Sequence, residues 1–217
     1  VRVRMVLFLG ALSFLLPNPA QGARYDAGLS LIVDLPQEEF ANISGTGGGL
    51  GFKLLLPLRS SMVRFRGDLD LLFFGEDEHY GDVHGWEGVI VTRHESIRLL
   101  AGLELSSPPS RSVRIYLAPV AGLYAFRSID RIQYTYFHET SSSQAKFGWK
   151  IDAGIVVRRF VRPYRPEGLG LDFGVSYGTV RRGVETKIEP AEGGDAIKIH
   201  TDANEIMIHA GIIWHSR

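Results

Sequence analysis

The chain has 217 residues, with 24 Lys and Arg against 24 Asp and Glu, and no Cys. Balanced charge argues against nucleic acid as a partner, because neutralising phosphates takes a basic excess. After residue 16 no run stays apolar over the ~18 residues that a membrane helix needs, and without Cys no disulfide can staple the fold.

Residues 1–22 have the layout of an export signal. Arg2 and Arg4 precede the apolar stretch Met5–Leu16, Pro17 and Pro19 break it, and Ala20-Gln21-Gly22 is a small-x-small cleavage site. The mature chain is then expected to begin at Ala23, with residues 23–217 as one domain. Read instead as an anchor, the apolar stretch is short for a span.

Behind this segment the dominant pattern is strict alternation, the period-two signature of a strand with unlike faces. Strand one is predicted over Tyr25–Asp34, with Tyr25, Ala27, Leu29, Leu31 and Val33 on one face. Strand two is Gly48–Pro57, aligning Leu50, Phe52, Leu54 and Leu56. Strand three, Met62–Phe74, sets Val63, Phe65, Leu69, Leu71 and Phe73 against Arg64, Arg66, Asp68 and Asp70. Strand four, Gly88–Leu105, sets Ile97, Leu99, Ala101, Leu103 and Leu105 against Ser96, Arg98 and Glu104. Strand five, Ser112–Phe126, sets Val113, Ile115 and Leu117 against Arg114 and Tyr116. Strand six, Ala145–Phe160, opposes an apolar run from Phe147 to Val157 with Lys150, Asp152 and Arg158. Strand seven is Gly168–Val180 and strand eight Glu205–His215, the latter aligning Ile206, Ile208, Ala210, Ile212 and Trp214.

Connections alternate in length. Arg59–Ser61, Ser106–Arg111 and Arg162–Glu167 are short, whereas Pro36–Gly47, Gly75–Glu87, Arg127–Gln144 and Arg181–Asn204 are long and polar. Short turns on one side and long loops on the other are the asymmetry of an outer-membrane barrel. Alternation alone leaves the greasy face free to point out to lipid or in to a ligand cavity. Three features favour apolar-out. Most strand glycines, Gly28, Gly102, Gly122, Gly154, Gly174 and Gly211 among them, share the polar phase, where a crowded interior needs small residues; Gly67 is an exception. Aromatics such as Tyr25, Phe73, Trp149, Tyr177 and Trp214 lie toward strand ends, as interfacial girdles do. The polar phase also mixes both signs, as a narrow lumen of paired charges requires. The expected lumen network is Lys53, Arg64, Arg66, Asp68, Asp70, Arg98, Glu104, Arg114, Lys150, Asp152, Arg158 and Asp172.

In strand number, loop asymmetry and phase, residues 23–217 resemble the small outer-membrane barrels of the OmpA/OmpX type. The resemblance implies an all-β, eight-stranded antiparallel up-and-down transmembrane barrel in the cell outer membrane. It implies outer-membrane lipid, lipopolysaccharide and the barrel-assembly machinery as partners, with a structural or surface-interaction role played by the long loops of a monomer. Such barrels usually end on an aromatic residue; here Trp214 is followed by His215-Ser216-Arg217.

Sites for chemistry are sparse, and no motif asks for a cofactor. The cluster Glu76, Asp77, Glu78, His79, Asp82 and His84 has carboxylates and imidazoles dense enough for Ca²⁺ or Zn²⁺, but matches no known ligand spacing. Glu189, Glu192, Asp195, His200 and Asp202 present the same case. A lipid A-modifying enzyme, deacylase-like, would need Ser, His and a carboxylate together; the candidates are His138 with Glu139 and Ser141, or His215 with Ser216. A soluble periplasmic lipid carrier and a small channel are further readings. Arg127–Gln144 alternates Ile129, Ile132, Tyr134, Tyr136 and Phe137 with polar residues, like a hairpin that continues strands five and six; in it Tyr134, Tyr136 and Phe137 are candidates for contact with an extracellular protein, since aromatics are enriched at interfaces, and the other reading is a cap on the barrel mouth or a lipid contact.

Overall fold

A computed structural model describes residues 25–42, 44–58, 62–83, 86–108, 112–133, 138–157, 168–188 and 197–215. The elements are β1 (Asp26–Gln37), α1 (Glu38–Ala41), β2 (Gly47–Pro57), β3 (Val63–Val83), β4 (Trp86–Ser106), β5 (Val113–Gln133), β6 (His138–Val157), β7 (Gly168–Ile188) and β8 (Ile197–His215). The proposed signal segment and Arg158 lie outside the described residues. Each strand pairs antiparallel with its chain neighbour, and β8 returns to β1 through Asp26↔His215 to Gln37↔Asn204, closing the barrel.

The wall has its greasy phase outside. Leu31, Leu99, Ile115, Leu123, Phe147 and Ile208 are each more than half exposed, whereas Arg66, Arg98, Glu104, Arg114 and Asp152 are at most 2% exposed. So large an apolar surface around a closed wall calls for an apolar solvent. Phe73, Trp149 and Tyr177 stand outward at the long-connection end and Trp214 at the short-turn end, with the Trp149 and Tyr177 rings 6.0 Å apart. That disposition removes the reading as a carrier barrel, whose apolar phase would line the inside.

Two stretches expected as loops, Gly75–Glu87 and Arg181–Asn204, are largely strand instead, and Arg127–Gln144 continues strands five and six as its alternation suggested. Pairing of β3 with β4 runs on to Val83↔Trp86, of β5 with β6 to Ile132↔His138, and of β7 with β8 to Ile188↔Ile197. Register shifts between Phe73 and Glu76 and between Val180 and Val184 mark where two of these extensions begin. The remaining long connection, Pro36–Gly47, carries the short helix α1.

Inside, glycine sets the space available to rings. A Cβ on Gly154 would sit 2.5 Å from the Tyr116 hydroxyl and would collide with the Phe173 carbonyl. On Gly174 it would sit 2.5 Å from the His209 ring. Bare backbone at these two positions admits Tyr116 and His209 to the centre of the barrel. Gly67, the outward exception, has nothing near its Cβ direction.

Candidate functional site

The charges form three connected groups along the lumen. At the short-turn end Asp26, near the start of β1, accepts from Arg64 of β3 and from Arg114 Nη1 of β5 at 3.3 Å. His215 Nδ1 from β8 stands 2.9 Å from the other Asp26 oxygen. Glu104 lies 3.6 Å from both Arg114 Nη2 and Arg66 Nη1, tying this group to the next.

Arg66 organises the centre. Its Nε and Nη2 donate to the two oxygens of Asp68 at 2.8 and 2.9 Å, a bidentate fork, and Nη2 also reaches Asp152 across the barrel. Lys150 Nζ lies 3.3 Å from Asp68 and 2.8 Å from Asp70. Beside them Lys53 Nζ donates to Asp172 at 2.6 Å, the Tyr116 hydroxyl donates to the other Asp172 oxygen at 3.0 Å, and His209 Nε2 stands 3.0 Å from that hydroxyl. A polar cavity of about 20 Å³ lies among Lys53, Asp68, Asp70, Lys150, Asp152 and His209, the size of a single water.

Toward the long connections Arg98 of β4 is the hub. It donates to Asp34 at 2.8 Å, to Glu205 at 2.5 Å and to the Met207 sulfur at 2.7 Å, and its guanidinium lies 5.2 Å from the Tyr124 ring centroid. Above it Ile32, Leu72, Phe74, Phe126 and Val180 form an apolar layer.

All these ions are taken from water, which is costly unless each is paired at short range in good geometry. Strand alternation supplies the geometry. Arg64, Arg66, Asp68 and Asp70 must share a face, and eight strands bring the faces of β2, β3, β6 and β7 within side-chain reach.

Of the expected network, Lys53, Arg64, Arg66, Asp68, Asp70, Arg98, Glu104, Arg114, Lys150, Asp152 and Asp172 are brought together here. Asp34, Glu205, His209 and Tyr116 also take part without having been singled out. The signal for them was present: Asp34 continues the phase of Asp26, Gly28 and Ser30, and Glu205 and His209 alternate with Ile206 and Ile208. Tyr134, Tyr136 and Phe137 lie outside the described residues, between the end of β5 and the start of β6. So do His84, Glu189, Glu192, Asp195 and Ser216. His138, Glu139 and Ser141 lie on the outer part of β6, paired with Ile132, Arg131 and Ile129. Glu76–Asp82 continues β3, and His200 and Asp202 lie on β8. Among the described residues no three His, Asp or Glu side chains converge on one point as metal ligands would.

No protein-family model matches the chain, and no curated protein does. Solved structures do. Neisserial surface protein A is 13% identical, the match covering 88% of this chain and 96% of that one, with a TM-score of 0.52. Ail, the attachment invasion locus protein of Yersinia pestis, is 11% identical over 89% of this chain and 99% of its own, with a TM-score of 0.50. A major outer membrane protein from Thermus thermophilus is 10% identical over 88% of this chain and 99% of its own, at 0.45. The fold is that of the small eight-stranded outer-membrane barrels. At such low identity the likeness is one of fold, and what these proteins do is not carried with it.

Proposed function

We propose that this chain is an integral barrel of the outer membrane, plugged by its own charge pairs, whose protruding strands meet a partner outside. The observation that carries the reading is the inversion of the wall, with bulky apolar side chains outward and ionised ones inward. In water the apolar band would be an aggregation surface; in a bilayer it is the lipid contact.

The surface role rests on the strand extensions. Beyond Trp149↔Thr179 no described residue of β6 pairs with β7, although β6 stays paired with β5 as far as His138. Among the described residues, His138–Ser143 of β6 pair on the β5 side alone, and an extended segment of another protein can add to such an edge as a strand. Tyr134, Tyr136 and Phe137 stand between β5 and β6 in the sequence, and in this reading they supply the aromatic contacts of the interface.

Carbonate extraction of the cell envelope, followed by an unboiled and a boiled sample on a detergent gel, tests the core of the reading. A pelleted band that migrates differently after boiling is expected. A carbonate-soluble band with no heat shift overturns it.

A further inference from the structure

We propose that the long-connection mouth of the barrel holds a binding site for a small aromatic group, over which the chain closes a lid by inserting Phe40. Helix α1 is four residues long and has no side-chain N-cap. Glu38, Glu39, Ala41 and Asn42 around it are exposed, while Phe40 is fully buried. Its ring lies edge-on to Phe74 at 5.5 Å and to Phe126 at 6.1 Å, and Phe126 stacks on Tyr124 at 6.3 Å. A benzyl-sized group already occupies the site, and it belongs to the connection between β1 and β2.

Two further observations mark the segment as a lid rather than a fixed part of the core. Among the described non-glycine residues Glu38 alone has a positive φ, 52°, in the left-handed region that side chains disfavour. The strain sits at the junction of β1 and α1, where a hinge would be. Opposing it is a side-chain latch: Asn204 Nδ2 of β8 donates to Glu38 Oε2 at 2.6 Å, and Thr179 Oγ1 of β7 donates to Asn204 Oδ1 at 2.5 Å. The return path, Ser44-Gly45-Thr46-Gly47, is rich in glycine. The return path is anchored by the buried Ser44 and by Gly75 N–H donating to Thr46 O at 3.3 Å, so opening α1 between Glu38 and this anchor breaks the Phe40 insertion and the latch. An open lid leaves Phe74, Phe126 and Tyr124 facing the vacated space, which suits an aromatic or compact apolar ligand.

The test uses the protein purified from membranes into lipid nanodiscs, with heat-shifted migration as the check that each variant is folded. Binding of 4-fluorophenol is followed by fluorine NMR against empty nanodiscs. Phe40→Ala removes the inserted ring and is expected to bind the probe saturably. The unaltered protein should bind about tenfold more weakly if its lid is open about a tenth of the time, because apparent affinity scales with the competent fraction. Asn204→Ala loosens the latch and should fall between the two. Phe40→Trp keeps the site filled and should bind no better than the unaltered protein. No saturable binding to Phe40→Ala overturns the site, and equal binding to Phe40→Trp places the probe elsewhere and overturns it too. If Asn204→Ala binds no better than the unaltered protein, Phe40 is a fixed core residue and the lid is overturned. That last comparison stands even if Phe40→Ala does not fold.

Discussion

The wall of the barrel and the strands that rise beyond it are the same β-sheet in two solvents. Within the wall, Leu99 points outward, 58% exposed, while its neighbours Arg98 and Leu100 are at most 2% exposed. One residue of register slip would turn Arg98 to lipid and Leu99 into the charge network, so the pairing is strongly specified. Beyond the register shifts at Phe73/Glu76 and Val180/Val184 the ladders continue, with water available to both faces in a membrane setting. There the sequence runs Thr140-Ser141-Ser142-Ser143-Gln144, polar at each step. Side-chain enforcement of register is sparser there, though His94 Nδ1 stands 2.8 Å from Ser128 Oγ and Val91 and Ile129 are buried. Strand structure follows from pairing, whereas a legible strand pattern follows from unlike environments on its two faces.

The sharpest way to break this contrast is to remove a charge from the centre of the wall. Arg66→Ala takes the guanidinium from Asp152 and leaves Asp68 with Lys150 alone, both carboxylates being nearly inaccessible. Breaking a buried pair by deleting one partner costs roughly 3–5 kcal/mol. Reversible urea unfolding in lipid vesicles should show a loss of that size; a midpoint unchanged from the parent would mean that the polar phase is wet. Next comes the opposite phase. Leu99→Arg places a cation on the outer face opposite Leu69 and Leu123, and a charge at mid-membrane costs about 2–4 kcal/mol. If the same assay finds Leu99→Arg neutral, the outer face does not meet lipid.

A third change probes the room inside. Gly154→Ala drives a Cβ against the Phe173 carbonyl and the Tyr116 hydroxyl. Overpacking of this kind costs about 1–3 kcal/mol, and Gly67→Ala, with open space outside, should cost far less. Equal effects in thermal unfolding would remove the account of why glycine favours the inner phase.

How far the chain could be read without coordinates follows the same division. Strands three to six were legible in the wall because Arg64 to Asp70, or Lys150 and Asp152, alternate with large apolar residues over many positions. The outward phase was legible from where the glycines fall, since Gly154 and Gly174 lack side chains only where Tyr116 and His209 need the volume. Asp34 and Glu205 were overlooked because each stands at the end of a predicted strand, where an acid reads as loop; their value comes from Arg98, which lies far away in sequence and adjacent only after closure. Helix α1 left no pattern of its own. Four residues make a single turn, and Phe40 is buried through Phe74 and Phe126 on distant strands.

The smallest expected effect concerns the extension itself. Ser142 is exposed and opposite Ser128 on the paired outer stretch of β5 and β6. Ser142→Arg should change unfolding free energy by no more than about 0.5 kcal/mol, as surface substitutions away from buried features do. The same chemical change at Leu99 is severe, so the pair of variants isolates solvent as the cause. Hydrogen exchange sharpens the point. Amides of Val120 and Gly122 lie in a wall where β5 is paired on both sides, whereas among the described residues β6 from His138 to Ser143 pairs on the β5 side alone. Exchange in the latter stretch should run through local opening and be faster than in the wall. Equal protection would mean that the free edge of β6 is already covered, and the partner proposed to add there would have nowhere to bind.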